Sequence, residues 1–579
     1  MDAAQPLAIS RPAEASRSLG GVQRAYFYLV ALVAVHMVVL AVANLLRVGA
    51  EIATNATPGG FTGLPFVFTD LNQPGEVHRQ QASLAVALLV VGLPAWLIHF
   101  GYAQRVARRS IEDRASAWRS FHLHVVVVVT ALLVWGYGQR TLGLILQGTF
   151  FRTVASNGSF FGLEPQWEAR ALGAGAMALT AAGALAYHLW VSNGDRRATL
   201  VAGRAAGIRH LVFYGLALIG LFGTAIAAIS ALTQIWQYVV DGLVVPPGIR
   251  EFAPSPFAGR EATLRFQLLL IVPQIVAGLA LWLGTWIPLQ RGLRGGTSDT
   301  DVERQSPVRK LAIYLVVLLS AVAVLAAGTI ALADIGRRLL GDPVVEQFSS
   351  LQNELGTPLV TVVVFGAIWI FYRRVVSADA SRETEKERAA NVRRVYTYLI
   401  AAIGLAMLAI GLAGIIGVLG SIGMGINTHT HSEIATYGAL VILGTPAWAF
   451  SWWQARRRLD DDERRSLPRR GYLYLAVFGG VVGLLVFVSA ILYRLLNAVL
   501  AGAFPLSMWH DVWHFTVDAA VSAGAFLFHL GVVRADRGAQ IVAEARPHPF
   551  TVLVRAADAA AARARLAAAL EGQADITVR

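Results

Sequence analysis

The chain has 579 residues, of which 56% are hydrophobic and 15% are charged, and its formal net charge is +13. Soluble proteins contain roughly 45–50% apolar and about 25% charged residues, so the composition excludes an ordinary soluble protein. The absence of cysteine excludes disulfides, thiolate zinc sites, iron–sulfur clusters and thioether-attached haem. Neither Lys310 nor Lys386 precedes Ser or Thr, which excludes a Walker-type phosphate-binding loop.

The apolar residues are concentrated in twelve blocks of about 20 residues, the length that crosses a hydrocarbon core as a helix. Inside lipid the backbone must satisfy its own hydrogen bonds, so helix is expected for each block. The sequence therefore predicts an all-α integral membrane protein with twelve transmembrane helices. The predicted spans are 25–46, 82–104, 121–146, 169–191, 209–233, 266–289, 310–333, 356–375, 394–420, 433–454, 471–493 and 511–533.

The basic residues are distributed unevenly between these spans. More than three quarters of the 49 Lys and Arg residues lie before span 1, in the joints that follow even-numbered spans, or after span 12. Cytoplasmic segments retain positive charge, so both termini are predicted to be cytoplasmic, in a multi-pass protein of the plasma (inner) membrane. The lipid bilayer is the expected partner. A nucleic-acid partner is not expected, because topology accounts for the charge.

Short motifs recur along the chain at a fixed register. A Gly-x-Pro-x-Trp motif lies within even-numbered spans, and span 6 has Ala280 in place of the proline; its residues are Gly92, Pro94, Trp96, Gly278, Trp282, Gly444, Pro446 and Trp448. An aspartate follows a His or Tyr by seven residues in spans 4, 8 and 12, as His188 and Asp195, Tyr372 and Asp379, and His529 and Asp536. Odd-numbered spans open with a basic residue four before a tyrosine, as in Arg24 and Tyr28, His210 and Tyr214, and Arg394 and Tyr398.

These recurrences predict three four-helix repeats. We name them repeat 1 (residues 20–196), repeat 2 (204–380) and repeat 3 (390–537). An even number of spans keeps every repeat in the same orientation, so they are parallel rather than inverted repeats. A polar segment, 1–19, precedes them. Residues 546–579 follow them and are predicted as a small cytoplasmic β-α-β segment, which could contact a second copy or a membrane-complex partner because it is too small to fold alone.

The motifs carry a family resemblance. The Arg-x-Tyr-x-Tyr-Leu openings at 394–399 and 470–475, the Leu-Tyr-Arg-Leu-Leu-Asn run at 492–497 and the Gly-x-Pro-x-Trp helices resemble the bacterial multi-pass membrane family catalogued as domain of unknown function 5671. The resemblance covers most of the predicted bundle, is closest in repeat 3 and is weakest in repeat 2. It implies the membrane fold and brings no assigned activity.

Most recurring residues have a structural interpretation. Glycine permits close helix approach, and proline frees a carbonyl and bends a helix, so the Gly-x-Pro-x-Trp motif is predicted to serve packing; a substrate site at the bends is the alternative. The basic and tyrosine residues at span starts are predicted to anchor the helices at the membrane interface.

Histidines within spans are the main candidates for chemistry there, because ionisable groups in a membrane are costly. His36 is predicted to be a hydrogen-bonded packing residue, since its counterparts Phe222 and Ala406 are apolar. His99 and His188 could in principle ligate a b-type haem. Haem is disfavoured because only repeat 1 has the pair and both histidines lie at one depth.

The densest group of potential metal ligands lies on the predicted outer side of repeat 3. Histidines four apart share one helical face, and the preceding hairpin loop adds further imidazole and carboxylate groups; the candidates are His429, His431, Glu433, His510, Asp511, His514 and Asp518. Such ligands suit zinc or another divalent ion. The alternative is that the acids stabilise helix N-termini. A metalloprotease is disfavoured, since Asp511 stands where that motif has glutamate.

Three functions follow from these observations. Sparse charge within the spans and the lack of a catalytic set favour a structural or interaction role, as an accessory component of the membrane, rather than an enzyme. Twelve spans with internal repetition and bending prolines leave a transporter or channel for a small solute as one alternative. A metal-binding membrane protein, using the outer cluster of repeat 3, is the other.

Overall fold

The computed structural model describes residues 19–59, 74–150, 166–198, 203–244, 260–293, 306–341, 351–380, 387–426, 430–544 and 558–569. These residues form helices and connections, and no strand occurs among them. The helices are α1 (Gly21–Ala53), α2 (Pro74–Arg109), α3 (Ile111–Arg114), α4 (Ala117–Phe150), α5 (Trp167–Ala198), α6 (Gly203–Val244), α7 (Arg260–Gly292), α8 (Pro307–Leu339), α9 (Leu351–Ala380), α10 (Glu387–Gly423), α11 (Thr430–Arg457), α12 (Asp461–Arg465), α13 (Leu467–Ala501), α14 (Leu506–Glu544) and α15 (Ala559–Ala569).

Within the described residues, twelve helices are long and apolar enough to cross a membrane by length and composition. They fit a multi-pass membrane protein and correspond one to one with the predicted spans. Each helix extends beyond its span. The first span, 25–46, lies inside a helix of 33 residues, because polar residues at the ends continue the helix past the apolar block.

The helices form two compact units, residues 1–392 and 393–579. In the first unit α1 packs on α2, α4 and α5, while α6 packs on α7, α8 and α9. Helix α4 also packs on α6 and α7, with Val127 and Ala131 of α4 against Leu216 of α6. This division into two units does not support the predicted arrangement as three four-helix repeats, because this apolar contact joins repeats 1 and 2. Repeat 3 lies in the second unit.

The glycines of the Gly-x-Pro-x-Trp motif lie where two neighbouring helices cross. An ideal Cβ on Gly92 would lie 3.3 Å from Ala34 O, one on Gly278 would lie 3.3 Å from Gly220 O, and one on Gly444 would lie 3.1 Å from Gly404 O. The three carbonyls have the same register within their repeats. The motif thus marks one helix crossing that recurs three times, and the absence of a side chain permits the close approach. Pro94 and Pro446 lie inside continuous helices.

Two short polar helices, α3 and α12, precede the third long helix of repeats 1 and 3. Each begins with a capping side chain: Ser110 accepts a hydrogen bond from Asp113 N, and Asp460 accepts one from Glu463 N. An N-cap residue satisfies an amide that a helix start leaves free. These helices turn the chain back and orient the acid at their third position.

The predicted β-α-β segment is described only at α15. The helix predicted there, 556–570, agrees with α15, whereas the two predicted strands, 551–555 and 575–579, lie outside the described residues.

Candidate functional site

Repeat 1 buries an arginine at the end where its first and third long helices begin, which we call the basic end. Arg119 of α4 is 2% exposed. Its guanidinium donates to both carboxylate oxygens of Asp195 on α5, with Nε at 2.7 Å and Nη2 at 3.2 Å. It also donates to the Tyr28 hydroxyl of α1 at 3.2 Å and to Gln104 of α2 at 2.8 Å. One side chain thus joins four helices.

The same arrangement recurs in repeat 3. Arg469 donates to Asp536 with Nε at 2.7 Å and Nη2 at 3.3 Å, and to the Tyr398 hydroxyl at 3.2 Å. In repeat 2, Arg309 donates to the Tyr214 hydroxyl at 3.1 Å. The three arginines each lie three residues after a serine, and all three are at most 2% exposed.

A second ion pair lies beside the networks of repeats 1 and 3. Arg24 Nε is 2.6 Å from Asp113 of α3, and Arg394 Nε is 2.7 Å from Glu463 of α12. In repeat 3 the Tyr398 hydroxyl donates to the same glutamate at 2.8 Å. The short helices α3 and α12 therefore supply the carboxylates of these second ion pairs.

These contacts change the interpretation of the tyrosines at the span starts. Tyr28, Tyr214 and Tyr398 are each at most 3% exposed, so their prediction as interface anchors is wrong. Their hydroxyls accept from buried guanidinium groups. A buried ion pair is maintained only when further hydrogen bonds satisfy it, as here. The network binds the helix ends together.

The tryptophan of the Gly-x-Pro-x-Trp motif points to the same end of the repeat. In repeat 3, Trp448 Nε1 donates to the Tyr472 hydroxyl at 3.1 Å, and this hydroxyl lies 3.0 Å from His529 Nε2. In repeat 2, Trp282 Nε1 donates to the Tyr372 hydroxyl at 3.2 Å. The motif therefore contributes a hydrogen-bond donor in addition to a packing contact.

The two histidines considered for haem are not brought together. His99 lies 3.2 Å from the Tyr26 hydroxyl, whereas His188 faces His122, with ring centroids 5.8 Å apart. His36 Nδ1 bonds to Leu32 O of its own helix at 2.7 Å. His122 was not among the sequence candidates, and its only sequence signal is its position three residues after the buried arginine.

A cavity lies above the Trp448–Tyr472–His529 chain, between the helices of repeat 3. It has two lobes, of about 300 Å³ and 430 Å³, that share Leu405 and Ala409 of α10 and Val521 and Ala525 of α14. Tyr472 lines the smaller lobe, while Trp448 and His529 line the larger. The other lining residues are apolar apart from Ser522. The cavity is thus an apolar space with a hydrogen-bonded polar floor.

Two of the predicted metal ligands of repeat 3 contact residues outside the predicted set, and His510 Nδ1 lies 3.7 Å from Asp511 Oδ1 within it. Asp511 Oδ2 lies 2.9 Å from Arg494 Nη2, and His514 Nε2 lies 2.9 Å from the Ser421 hydroxyl. The rings of His510 and His514 are 4.6 Å apart. His429 lies outside the described residues. Among the residues that the structure describes, no group of three or more His, Asp or Glu is placed to hold a metal ion. Zinc binding here stays a prediction.

Repeat 1 has a buried polar network at the opposite end from Arg119. Glu51 is 1% exposed and accepts from Arg47 Nη1 at 2.7 and 2.9 Å. Arg47 also donates to Gln81 at 2.7 Å, and Arg170 lies 3.4 Å from the same glutamate. This network was not predicted from the sequence. Its signal was a basic and an acidic residue four apart at the end of an apolar span.

Comparison with known proteins gives one family. The model of the family described as Domain of unknown function (DUF5671) matches residues 24–161, 248–351 and 394–532. The three matches form three tandem copies and together cover more than half of the chain. No curated protein and no solved structure matches it.

Proposed function

The chain belongs to the DUF5671 family, and we propose that it is a membrane protein whose third repeat binds a small lipophilic molecule carrying one hydrogen-bond donor. The cavity between α10, α11, α13 and α14 carries this proposal. Binding pockets are typically about 300–1,000 Å³, mostly apolar, with a few placed polar groups. Both lobes fall in that range at its lower end.

The polar floor supports the choice of a donor. Tyr472 Oη accepts from Trp448 and interacts with His529, whose Nδ1 bonds to Ala525 O at 2.8 Å. A carbonyl only accepts, so Nδ1 carries the proton and Nε2 accepts from the tyrosine hydroxyl. The hydroxyl oxygen then has one lone pair left, which suits a ligand that donates.

The site favours the solute-handling alternative over a purely structural role. A cavity between helices is what a carrier requires, and the membrane itself supplies lipophilic ligands. The structural or accessory role stays a prediction, which co-purification of the chain with a stable partner would test. We also propose that the three copies are parallel four-helix repeats with both termini in the cytoplasm.

Binding of two matched probes to the full chain tests the proposal. 4-Hexylphenol carries a donor, and 4-hexylanisole is the same molecule with the donor removed. We expect the phenol to bind about five- to tenfold more tightly, since one hydrogen bond contributes about 1 kcal/mol. Native mass spectrometry of the detergent-solubilised chain would measure both affinities.

Variants of α10 and α13 locate the binding. Ala409→Phe fills both lobes and should abolish binding, whereas Ile410→Phe, at a position 57% exposed on the same helix, should leave it unchanged. Tyr472→Phe should bring the two probes to equal affinity. Equal binding of the phenol by the wild type and Ala409→Phe would refute the site.

A further inference from the structure

Repeat 1 contains two buried imidazoles that face each other. His122 of α4 and His188 of α5 are at most 1% exposed. His122 Nδ1 lies 3.0 Å from Tyr28 O, and His188 Nδ1 lies 2.7 Å from Ala184 O. Because a carbonyl only accepts, both Nδ1 atoms carry the proton and both Nε2 atoms carry a lone pair.

Three polar atoms around this pair have no partner. They are His122 Nε2, His188 Nε2 and Trp96 Nε1, all fully buried. The three side chains that carry these atoms all pack on the Phe100 ring. The centroid of that ring lies 5.0 Å from the His122 centroid, 5.7 Å from the His188 centroid and 5.7 Å from the Trp96 centroid. Buried polar groups are almost always hydrogen-bonded, so one donor and two acceptors in one place indicate a missing ligand.

The other repeats show what occupies the corresponding position. Tyr472 stands where repeat 1 has His122, three residues after the buried arginine, and its hydroxyl joins Trp448 to His529. In repeat 2, Tyr372 stands where repeat 1 has His188, and its hydroxyl accepts from Trp282. Repeat 1 has histidine at both positions and therefore lacks the hydroxyl oxygen.

We propose that repeat 1 binds one water molecule in place of that hydroxyl, accepting from Trp96 Nε1 and donating to His122 Nε2 and His188 Nε2. Water is the ligand that matches this set, because a single oxygen donates twice and accepts at least once. An alcohol donates once and would leave one imidazole unsatisfied. Buried waters typically make about three such bonds.

The surroundings favour a neutral ligand. Arg119, three residues before His122 on the same helix, is already paired with Asp195. Tyr187 of α5 packs edge-on to His188 with centroids 5.2 Å apart. Among the described residues, no hydrogen bond, ion pair or ring contact of either imidazole involves a carboxylate, so a cation would bring uncompensated charge into a buried place.

Exchange of residues between repeats tests the water site in the full chain. His122→Tyr and His188→Tyr each import the residue of another repeat, and Tyr472→His removes the hydroxyl from repeat 3. Water-edited solid-state NMR of ¹⁵N-histidine-labelled protein in lipid nanodiscs reports which imidazoles touch water. The difference spectra against His122→Tyr and His188→Tyr assign the two signals of repeat 1.

We expect strong water transfer to both imidazoles in the wild type, its loss at His188 in His122→Tyr, and a new water signal at His529 in Tyr472→His. We also expect His122→Tyr to keep the thermal midpoint of the wild type and His122→Phe to lower it, because phenylalanine supplies no oxygen. Absence of water transfer to both imidazoles in folded wild-type protein would overturn the proposal. Stoichiometric Ag⁺ binding that both tyrosine variants abolish would also overturn it, because the two nitrogens would then converge on a cation.

Discussion

The side chain of Arg47 lies across Gly173, where a Cβ would come within 2.7 Å of Arg47 Cγ. Repeat 3 has the reverse arrangement: His514 lies across Gly417, and a Cβ there would be 2.6 Å from His514 Nδ1. Residues 47 and 417 share one register position, and residues 173 and 514 share another. The two repeats thus place a large polar side chain on opposite helices, and the facing glycine provides the space.

Gly173→Ala should destabilise the chain by about 1–3 kcal/mol, the usual result of overpacking. The added methyl must displace Arg47, whose guanidinium is held by Glu51 and Gln81. The thermal midpoint in detergent measures the change. Gly183→Ala, on the same helix with open space around it, is the matched control and should be neutral or stabilising. Equal midpoints for the two variants would contradict this packing.

Removing one partner of a buried ion pair should strongly lower the free energy of unfolding. Arg469→Met leaves Asp536 with only the more distant Arg464, at 3.9 Å, and Tyr398 without its donor, and we expect a loss of about 3–5 kcal/mol. The double variant Arg469→Met with Asp536→Leu should be more stable than the single one, because the carboxylate that lost its main partner is then removed as well. Arg79→Ala, at a side chain 73% exposed, should change stability by no more than about 0.5 kcal/mol. Denaturant unfolding measures the free energy of unfolding of each variant. If the losses caused by Arg469→Met and by Asp536→Leu alone simply added in the double variant, the ion pair would be contradicted.

Gly404→Ala should lower the thermal stability of the chain more than Gly438→Ala, a substitution in the same repeat. Its Cβ would lie 2.4 Å from the backbone nitrogen of Trp448, and backbone cannot move aside as a side chain can. We expect lowered thermal stability and a weaker hydrogen bond from Trp448 to Tyr472. Gly438→Ala, which has nothing within 4 Å, is the control. Tryptophan fluorescence with thermal unfolding measures both effects; a wild-type profile for Gly404→Ala would refute the close crossing.

The predicted orientation can be tested directly, because the chain has no cysteine and any introduced thiol is unique. Asp461→Cys lies at the basic end of repeat 3, and Ala503→Cys lies at the opposite end; both positions are exposed. A membrane-impermeant maleimide should label Ala503→Cys in intact cells and Asp461→Cys only after the cells are opened. The reverse pattern would place both termini outside.

The helices were predictable because an apolar block of about 20 residues has one stable form in lipid. The short helices α3 and α12 were not predicted, since four or five polar residues carry no periodicity. Their only signal is the capping pair, Ser110 with Asp113 and Asp460 with Glu463. The union of repeats 1 and 2 in one unit was also missed. It depends on apolar contacts between α4 and α6, which in sequence cannot be distinguished from lipid-facing residues.

The site was predicted less well than the fold. The motif tryptophans and the Asp-after-His pattern were recognised in the sequence. That these residues lie together at the basic end of repeats 1 and 3 was not predicted. Arg119 and Tyr28 are 91 residues apart, and nothing local distinguishes a buried arginine at a helix start from one that reaches the lipid headgroups. The recurrence of Ser-x-x-Arg at 116–119, 306–309 and 466–469 was the available signal.

The buried arginines also have a consequence for biosynthesis. Arg119 is synthesised 76 residues before Asp195, and Arg469 is synthesised 67 residues before Asp536. Until the last helix of its repeat emerges, each arginine lacks that carboxylate and, in the predicted orientation, adds to the positive charge expected to retain the segment on the cytoplasmic side. Once the helix inserts, the same guanidinium becomes half of a neutral pair. If the predicted orientation holds, one residue contributes first to orienting the nascent chain and later to closing the finished repeat, and we expect Asp195→Asn to weaken the folded protein without inverting it.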